Sequence, residues 1–536
     1  MNLFDAIFTQ NDLAKTAARC EGRQITYEDL RDQTSRFAEL LPVLGIALGD
    51  RIAILLNDSP EFLASFIAVC SSGALAVPIN LALRLDEQQA ILNDCSASVA
   101  IVESDICPAL LADANEKLPH LKEVVVVSRH QEEQEVTATD GVKIQLLSEL
   151  LSRSRAGHQP AFTSQSPRAP AFILYTSGST GEPKGAVHSQ ADLFYTNETF
   201  CRQVLQPTPG DRLFSSSRLP FAYGLGNSLT FPLLNGVSTI LCREKPTPEV
   251  ICRVFADYRP TIFFAVPVVY NLLLDHHRRG NKLQCTSLRL CVSAGEALPA
   301  QLGEDWQKTF GVEVLDAIGS TEMLHMFMSN QPGKVRYGSS GKVLKGYEAR
   351  LLDQEGEPVA ADAVGNLWVK GDSAALGYWQ KADATARTFV GGWVRTGDLY
   401  RCDLDGYCYH MGRSDDCFKS SGQWVSPVEV EGALLRNEKV SQVAVVEDFD
   451  KDGLPCACAF VVCKDVDSNV VQIEEELKQS MKAALPRFKR PRRYLFVNDL
   501  PYTATGKVQR FKLREELKRV QSPMSKVCLP ATIEWH

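Results

Sequence analysis

The chain has 536 residues, too many for one ordinary hydrophobic core, and 45% of them are hydrophobic, so two or more globular domains are expected. The formal net charge of −8 and the pI near 5.7 give no general attraction to nucleic acid or to an anionic membrane, and we expect neither as a partner. The start, MNLFDAIFTQ, has no basic segment ahead of an apolar one, so a signal peptide is not expected.

Apolar, strand-like runs alternate with helical stretches along most of the chain. In chain order they are RIAILL at 51, AIVES at 100, EVVVVS at 123, AFILYTS at 171, TIFFAVP at 261 and LRLCVSAGE at 288. This alternation predicts an α/β architecture. The polar segment 152–170 either separates two subdomains or forms one long loop.

Residues 62–83 carry no charge and are numerous enough to span a bilayer. The sequence SSG at 71–73 favours a helix end, and the following ALAVPIN favours a short buried strand. We therefore expect a helix and a strand here rather than a membrane span.

The sequence changes in character after YHMGRSDD. The strand candidates SQVAVVEDF and CACAFVVCK precede a helix in which Ile473, Leu477, Met481 and Leu485 recur at every fourth position before Pro486. The strand RRYLFVND and a charged helix from Arg510 complete a compact α+β unit. We predict a large domain over 1–414, a small domain over 415–521 and a loose tail over 522–536.

Sixteen cysteines are scattered along the chain, and the closest pair, Cys456 and Cys458, has neither CxxC spacing nor histidine companions. We expect reduced thiols, which are typical of a cytoplasmic protein.

The stretch YTSGSTGEPKG follows a predicted strand and has the composition of a phosphate-binding loop. Small residues let backbone N–H groups approach an anion, hydroxyl groups donate hydrogen bonds, and a lysine adds a positive charge. The spacing excludes a Walker A loop, since Pro183 precedes the lysine where glycine is required, and it also fails the GxGxxG pattern. The residues that offer this chemistry are Ser177, Gly178, Ser179, Thr180, Gly181 and Lys184.

The loop resembles the phosphate-binding signature of the adenylate-forming superfamily, which includes acyl-CoA synthetases, peptide-synthetase adenylation domains and firefly luciferase. Further strings follow in that family's order, over about residues 20 to 520: SAGE at 293, DAIGSTE at 316, RTGDLY at 395, GRSDDCFKSSGQWVSPVEVE at 412 and TATGKVQR at 503. FAYGLGN at 221 and GSTEMLHMFMSN at 319 are most similar to benzoate-CoA ligases and related aryl-acid ligases. The resemblance implies a large, multi-subdomain N-terminal adenylate-forming domain and a small, mobile α+β C-terminal domain.

The implied reaction has two halves, in which a carboxylate attacks ATP to give an acyl-adenylate and pyrophosphate, and coenzyme A then displaces AMP. By resemblance, Lys507 stabilises the charge that develops in the first half, Glu322 binds Mg²⁺, Thr321 contacts the α-phosphate, and Lys184 acts with the phosphate loop. Asp398 would accept hydrogen bonds from the ribose hydroxyls, and Arg413 would add a ribose contact. The remaining ATP-binding residues are expected to be Thr176, Gly295, Glu296, Asp316 and Ala317, together with the loop residues named above.

The acid pocket implied by the resemblance is aromatic and neutral, without the aspartate that would pair with an amino-acid substrate. Its expected residues are Phe221, Ala222, Tyr223, Gly224, Gly319, His325 and Met326. Asp415 falls at the family's hinge, and the expected residues of the coenzyme A tunnel are Lys419, Ser421, Gly422 and Trp424. The basic run RFKRPRR at 487–493 either forms a solvated face or attracts the phosphates of coenzyme A.

These motifs lead to the hypothesis of an ATP- and Mg²⁺-dependent aryl-acid:CoA ligase acting on benzoate or a substituted benzoate. One alternative enzyme would load the aryl group onto a separate carrier protein, and another would emit light on the same fold. A non-catalytic nucleotide-binding regulator is the alternative from another class, although Lys184, Glu322 and Lys507 are all present.

Overall fold

The structure is a computed structural model that describes residues 2–128, 141–153, 162, 165–177, 183–450, 452–464, 469–502 and 508–521. By its internal contacts the chain divides into two compact units. The first comprises residues 1–337, 341–348 and 369–394, and the second comprises residues 338–340, 349–368 and 395–536. The domain boundary predicted near Asp415 refers to a hinge between the large and the small domain. This boundary stays a prediction.

The strands are short and follow one another along the whole chain. In chain order they are β1 (Thr16–Cys20), β2 (Arg23–Thr26), β3 (Arg51–Leu55), β4 (Leu75–Pro78), β5 (Val99–Glu103), β6 (Glu123–Val127), β7 (Lys143–Leu146), β8 (Pro170–Ser177), β9 (Pro183–Ser189), β10 (Arg212–Ser215), β11 (Ser238–Leu241), β12 (Ile262–Ala265), β13 (Leu290–Ser293), β14 (Val314–Gly319), β15 (Met326–Ser329), β16 (Lys342–Val343), β17 (Glu348–Leu352), β18 (Val364–Lys370), β19 (Gly377–Tyr378), β20 (Phe389–Val390), β21 (Trp393–Cys402), β22 (Cys408–Arg413), β23 (Phe418–Ser420), β24 (Gln423–Val425), β25 (Val440–Phe449), β26 (Pro455–Cys463) and β27 (Arg493–Phe496).

Helices separate most of these strands. The α-helices are α1 (Leu3–Phe8), α2 (Tyr27–Val43), α3 (Pro60–Ser72), α4 (Leu85–Asp94), α5 (Cys107–Leu111), α6 (Ala114–Lys117), α7 (Leu147–Arg153), α8 (Gln190–Thr196), α9 (Ala222–Leu225), α10 (Phe231–Leu234), α11 (Pro248–Tyr258), α12 (Pro267–Arg278), α13 (Ala300–Phe310), α14 (Ala382–Thr388), α15 (Pro427–Leu434), α16 (Val470–Ala484) and α17 (Arg510–Gln521). Asn197–Leu205 and Gly226–Thr230 are π-helical, whereas Thr321–Met323 and Arg487–Lys489 are 3₁₀ turns.

The first unit is built around two large sheets. One has the strand order β19-β9-β8-β4-β3-β5-β6-β7, and the other has the order β16-β15-β14-β13-β12-β10-β11-β1-β2. The strands β4, β3, β5 and β6 are parallel neighbours, and β5 and β6 are buried at every position. Continuous apolar runs suit such strands because helices cover both faces of a parallel sheet. The predicted α/β architecture is confirmed, and so are its six strands.

The uncharged segment at 62–83 is a helix followed by a strand, as the sequence predicts. The Ser59 hydroxyl accepts from the Phe62 N–H and caps the start of α3, and Pro60 lies in its first turn. Gly73 ends the helix with a φ of 83°, a left-handed conformation that glycine adopts at little cost. The described helices include none with both the length and the apolar character needed to cross a membrane.

The second unit contains the C-terminal sheet, in which β25 pairs antiparallel with β26 and β26 pairs parallel with β27. Successive side chains of a strand point to opposite faces, so β25 and β26 contribute residues to two apolar clusters, one on each face of the sheet. Val445 and Ala459 pack with Leu477 of α16, whereas Val446 and Phe460 pack with Leu513 of α17. The predicted α+β unit is confirmed.

Cys402 and Cys408 form a disulfide, so the expectation that every cysteine is reduced is wrong for this pair. The antiparallel pairing of β21 with β22 places the two residues directly opposite each other, with their Cα atoms 4.0 Å apart. The two cysteines are six positions apart in sequence, and that spacing alone does not predict that they pair across the two strands. The other described cysteines are free, and the cytoplasmic location stays a prediction.

Candidate functional site

The predicted phosphate loop connects β8 to β9, which pair antiparallel in the first unit. Thr176 faces Lys184 and Ser177 faces Pro183 across the hairpin, so the two ends of the loop are held together. Gly178, Ser179, Thr180 and Gly181 lie outside the described residues. Lys184 is half-buried on β9, and its ammonium lies 5.9 Å from the ring centroid of Tyr378.

The Glu322 carboxylate is held in a defined position by the first unit. The Tyr378 hydroxyl donates to Glu322 Oε1 over 2.7 Å, and the Ala375 N–H donates to the Glu322 carbonyl oxygen over 2.8 Å. Glu322 lies in the 3₁₀ turn Thr321–Met323, which Ser320 caps by accepting the Met323 N–H with its hydroxyl. Mg²⁺ prefers oxygen ligands and usually combines one or two carboxylates with phosphate oxygens and water, so this side chain fits that ion. Within the described residues, no group of three or more His, Cys, Asp and Glu side chains is arranged to hold a metal.

A buried histidine connects β9 to this turn. His188 Nδ1 lies 2.9 Å from Asp192 Oδ2, and Nε2 lies 2.8 Å from the carbonyl oxygen of Thr321. The carboxyl of Asp192 also accepts from the backbone N–H and the hydroxyl of Ser189. The imidazole stacks on Phe172 with 5.3 Å between ring centroids. The strand after the phosphate loop is therefore joined to the residue that precedes Glu322.

The carboxyl ends of β13 and β14 meet at one edge of the nine-stranded sheet, where α/β proteins commonly bind ligands. Gly295 follows β13 with a φ of 91°, and Glu296 is half-buried. Asp316 and Ala317 are buried on β14. Burial raises the pKa of Asp316 well above its ordinary value and so favours the neutral carboxyl.

The predicted acid-pocket residues group around Tyr223 and His325. Their rings lie 5.8 Å apart, and the Tyr223 hydroxyl donates to the carbonyl oxygen of Val292 over 3.0 Å. Phe231 lies 4.6 Å from the His325 ring, and Phe200 lies 5.2 Å from it. Neither ring nitrogen of His325 has a hydrogen-bond partner among the described residues. Burial lowers its pKa from 6.5 to about 3, so the imidazole is neutral.

Two glycines allow this close packing. A Cβ at Gly224 would lie 1.9 Å from the Arg218 carbonyl oxygen, and one at Gly319 would lie 2.5 Å from the His325 carbonyl oxygen. Gly319 faces Met326 in the pairing of β14 with β15, where the chain returns toward the pocket. Phe221 and Ala222 are half-buried at the start of α9.

In the second unit, Asp398 and Arg413 face each other across β21 and β22. Arg413 Nη1 donates to Asp398 Oδ1 over 3.2 Å and to the Thr396 carbonyl oxygen over 2.8 Å. His410 Nε2 lies 3.6 Å from the same Asp398 oxygen. The carboxylate thus has the Arg413 guanidinium as a cationic partner, and Asp398 as a whole is only 9% exposed.

Asp415 is exposed in the turn between β22 and β23, and the predicted tunnel residues follow it. Ser421 and Gly422 connect β23 to β24 with φ values of 53° and 76°, as in a type I′ turn. The Lys419 ammonium lies 5.2 Å from the centre of the Trp424 ring. A Cβ at Gly422 would meet no atom within 4 Å, so backbone conformation rather than space explains this glycine.

The basic run at 487–493 is largely paired within its own unit. The pairs are Lys489–Glu429 at 2.6 Å, Arg492–Asp450 at 2.6 Å and Arg493–Asp448 at 2.9 Å. These partners favour a solvated, internally neutralised face over attraction of coenzyme A. Lys507 lies outside the described residues.

Comparison with known families identifies the chain. Residues 6–379 match the AMP-binding enzyme family, and residues 429–507 match the AMP-binding enzyme C-terminal domain. The chain belongs to the AMP-binding enzyme family. The resemblance stated from the sequence is therefore confirmed.

Close relatives of this AMP-binding enzyme are known along nearly its full length. A benzoate–CoA ligase of Thauera aromatica is 40% identical over 522 residues, which are 96% of this chain and 95% of the relative. A 4-hydroxybenzoate–CoA/benzoate–CoA ligase of Rhodopseudomonas palustris is 38% identical over 92% of this chain and 89% of its own. The solved structure of the anthranilate CoA ligase AuaEII in complex with anthranoyl-AMP has a TM-score of 0.89 at 35% identity, covering 97% of this chain and 98% of that one.

Two residues of this AMP-binding enzyme that contact the candidate site, His188 and Tyr378, are not predicted from the sequence. His188 occurs in VHSQAD, where an aspartate four positions later is the only local signal of the buried pair. Tyr378 occurs in LGYWQ, about two hundred positions after Lys184, and only the pairing of β19 with β9 brings it there.

Proposed function

We propose that the chain activates a small aromatic carboxylic acid with ATP and transfers the aryl group to coenzyme A, giving aryl-CoA, AMP and pyrophosphate. Relatives named for benzoate and hydroxybenzoate, at 40% and 38% identity, support this assignment. The observation that carries it is the neutral, aromatic environment of Tyr223 and His325.

This environment suits a flat apolar ring and disfavours a zwitterion. The groups around it are aromatic, His325 is neutral, and burial favours the neutral form of Asp316. An amino-acid substrate would leave its ammonium group buried without a charged partner, which costs several kcal/mol. The acid pocket therefore selects an aryl acid.

In the first half-reaction, Lys184 and the phosphate loop would bind the β- and γ-phosphates, and Thr321 would contact the α-phosphate. Glu322 would hold Mg²⁺, which supplies neutralisation of phosphate charge and polarisation of the phosphoryl oxygens. Lys507 would stabilise the charge that develops as the carboxylate attacks the α-phosphorus. Asp398, acting as an acceptor, would bind the ribose hydroxyls, with Arg413 beside it.

In the second half-reaction, the thiol of coenzyme A attacks the carbonyl carbon of the aryl-adenylate, and AMP leaves. The turn at Ser421 and Gly422, together with Lys419 and Trp424, would line the path of the pantetheine arm. Asp415 would be the hinge that allows this second conformation.

The test is a pyrophosphate-release screen across aryl, fatty and amino acids, followed by thioester formation with free coenzyme A. Benzoate-like acids should support far faster pyrophosphate release than phenylalanine or palmitate, and aryl-CoA should accumulate. A preference for phenylalanine or palmitate over every aryl acid would overturn the substrate assignment. Pyrophosphate release without aryl-CoA would point to a separate carrier protein as the acceptor.

A further inference from the structure

Tyr378 contacts both charged side chains that the proposed function assigns to the phosphates and Mg²⁺. Its hydroxyl donates to Glu322 Oε1 over 2.7 Å, and the Lys184 ammonium lies 5.9 Å from the centre of its ring. A carboxylate can only accept, so the phenol is the donor. One aromatic side chain therefore touches an anion with its hydroxyl and a cation with its ring.

The strand pairing explains why these groups meet. Tyr378 on β19 faces Ala186 on β9, and Gly377 faces Val187. Lys184 precedes Ala186 by two positions, so its side chain leaves the same face of β9 as that of Ala186. A cation over an aromatic face is attracted by the ring, and the ring also restricts where the long lysine side chain can lie.

Tyr378 is itself fixed by neighbours of its own unit. Its N–H donates to Thr385 Oγ1 over 2.9 Å, and its ring packs edge-on against Phe389 with 5.6 Å between centroids. A Cβ on the preceding Gly377 would lie 2.8 Å from Thr385 Cγ2, so β19 and α14 are in close contact. The phenol is consequently presented from a rigid support.

We propose that Tyr378 is a positioning residue for the nucleotide half of the reaction, orienting the carboxylate of Glu322 for Mg²⁺ while confining the ammonium of Lys184 for the phosphates. This inference rests on the proposed function of Glu322 and Lys184. The hydrogen bond to Oε1 restricts the rotation of the carboxylate and so gives its oxygens a defined direction. Tyr378 acts through these two side chains and takes no part in the chemical step.

The test uses Tyr378→Phe, which keeps the ring and removes the hydroxyl, and Tyr378→Leu, which removes both contacts. The matched control is Tyr258→Phe in the same unit, where the lost hydroxyl accepts from the Gly22 N–H. Five quantities are measured on the full chain: kcat/KM for MgATP, the Mg²⁺ concentration at half-maximal pyrophosphate release, the KM for the aryl acid, thioester formation from supplied aryl-AMP, and the thermal midpoint.

Tyr378→Phe is expected to lower kcat/KM for MgATP about 10-fold and to raise the half-maximal Mg²⁺ concentration, because a charge-assisted hydrogen bond is lost. Tyr378→Leu is expected to lower kcat/KM about threefold further, because the cation–π contact is also lost. Tyr378→Phe should match the control Tyr258→Phe in three respects: the rate of thioester formation from aryl-AMP, the KM for the acid, and the thermal midpoint.

Unchanged MgATP and Mg²⁺ dependence in Tyr378→Phe would overturn the inference. Equal losses in both half-reactions together with a lowered thermal midpoint would also overturn it, since they indicate a purely structural role. If the wild-type protein releases no acid-dependent pyrophosphate, the proposed function itself fails, and that outcome is visible before any variant is compared.

Discussion

His188 Nε2 donates to the carbonyl oxygen of Thr321 across 2.8 Å, which ties the strand after the phosphate loop to the turn that carries Glu322. A carbonyl oxygen only accepts, so this nitrogen holds a proton. His188 is buried and Thr321 is half-buried within the same unit, and Asp192 contacts the other nitrogen of the imidazole. The contact joins two segments more than one hundred residues apart in sequence.

Replacing His188 by leucine is expected to destabilise the first unit by about 3 kcal/mol, because the buried Asp192 carboxylate loses its ring partner. Chemical denaturation measures this loss. The double variant His188→Leu, Asp192→Leu should recover only part of the stability, because it removes the unpaired carboxylate but also the two hydrogen bonds that Asp192 accepts from Ser189. Pyrophosphate release should nevertheless stay low in the double variant, because the Thr321 carbonyl remains without its donor. Full recovery of both quantities would show that the contact does not position the turn.

Lys507→Ala is expected to reduce adenylate formation severely and to leave thioester formation from supplied aryl-AMP largely intact. Losing one charge donor aimed at a transition state typically costs about 10² to 10³ in rate. Lys518→Ala, on an exposed position of α17, is the matched control. Pyrophosphate release near the wild-type rate in Lys507→Ala would refute the assignment.

Asp415→Pro is expected to impair thioester formation while adenylation survives, because proline fixes φ at the predicted hinge. The hydrogen bonds of this turn are donated by the N–H groups of Asp416 and Cys417 to the Arg413 carbonyl oxygen, so proline at 415 removes neither. Asp415→Ala serves as the control and should keep both half-reactions. Equal effects on the two half-reactions in the proline variant would count against the hinge.

Tyr223→Ala is expected to weaken benzoate and to admit acids with bulkier ring substituents. The truncation removes contacts for a small ring and opens volume for a larger one. The ratio of kcat/KM for a bulky aryl acid to that for benzoate measures the shift. Tyr223→Phe, which keeps the ring but loses the hydrogen bond to the Val292 carbonyl oxygen, should keep a ratio near that of the wild type. An unchanged ratio in Tyr223→Ala would show that the aryl acid does not bind beside Tyr223.

His325 is expected to make stability fall as the pH drops below 6.5. Burial lowers its folded-state pKa from 6.5 to about 3, so the unfolded chain binds a proton that the folded chain does not. Between pH 7 and pH 5 this difference amounts to about 2 kcal/mol. His325→Phe removes the titrating group. The difference in unfolding free energy between this variant and the wild type should therefore change by about 2 kcal/mol between pH 7 and pH 5. A gap that does not depend on pH would contradict the buried, neutral state.

The sequence by itself was sufficient for the alternation of strands and helices and for the family. Continuous apolar runs such as RIAILL and EVVVVS can bury both faces of a strand, and each forms a central strand. SSG before ALAVPIN marked the end of α3, because Gly73 adopts a left-handed conformation there. The spacing of motifs such as GSTE and TGD pointed to AMP-binding chemistry because each motif is local and carries its own functional groups.

The tertiary structure alone decided which distant side chains meet. Tyr378 reaches Glu322 and Lys184 through the pairing of β19 with β9, and His188 reaches Thr321 across 133 positions of sequence. The disulfide between Cys402 and Cys408 depends on the register of β21 with β22. Burial, not residue type, makes His325 neutral. Contacts, register and desolvation depend on the packing of the whole chain, whereas motif spacing is a property of a few neighbouring residues.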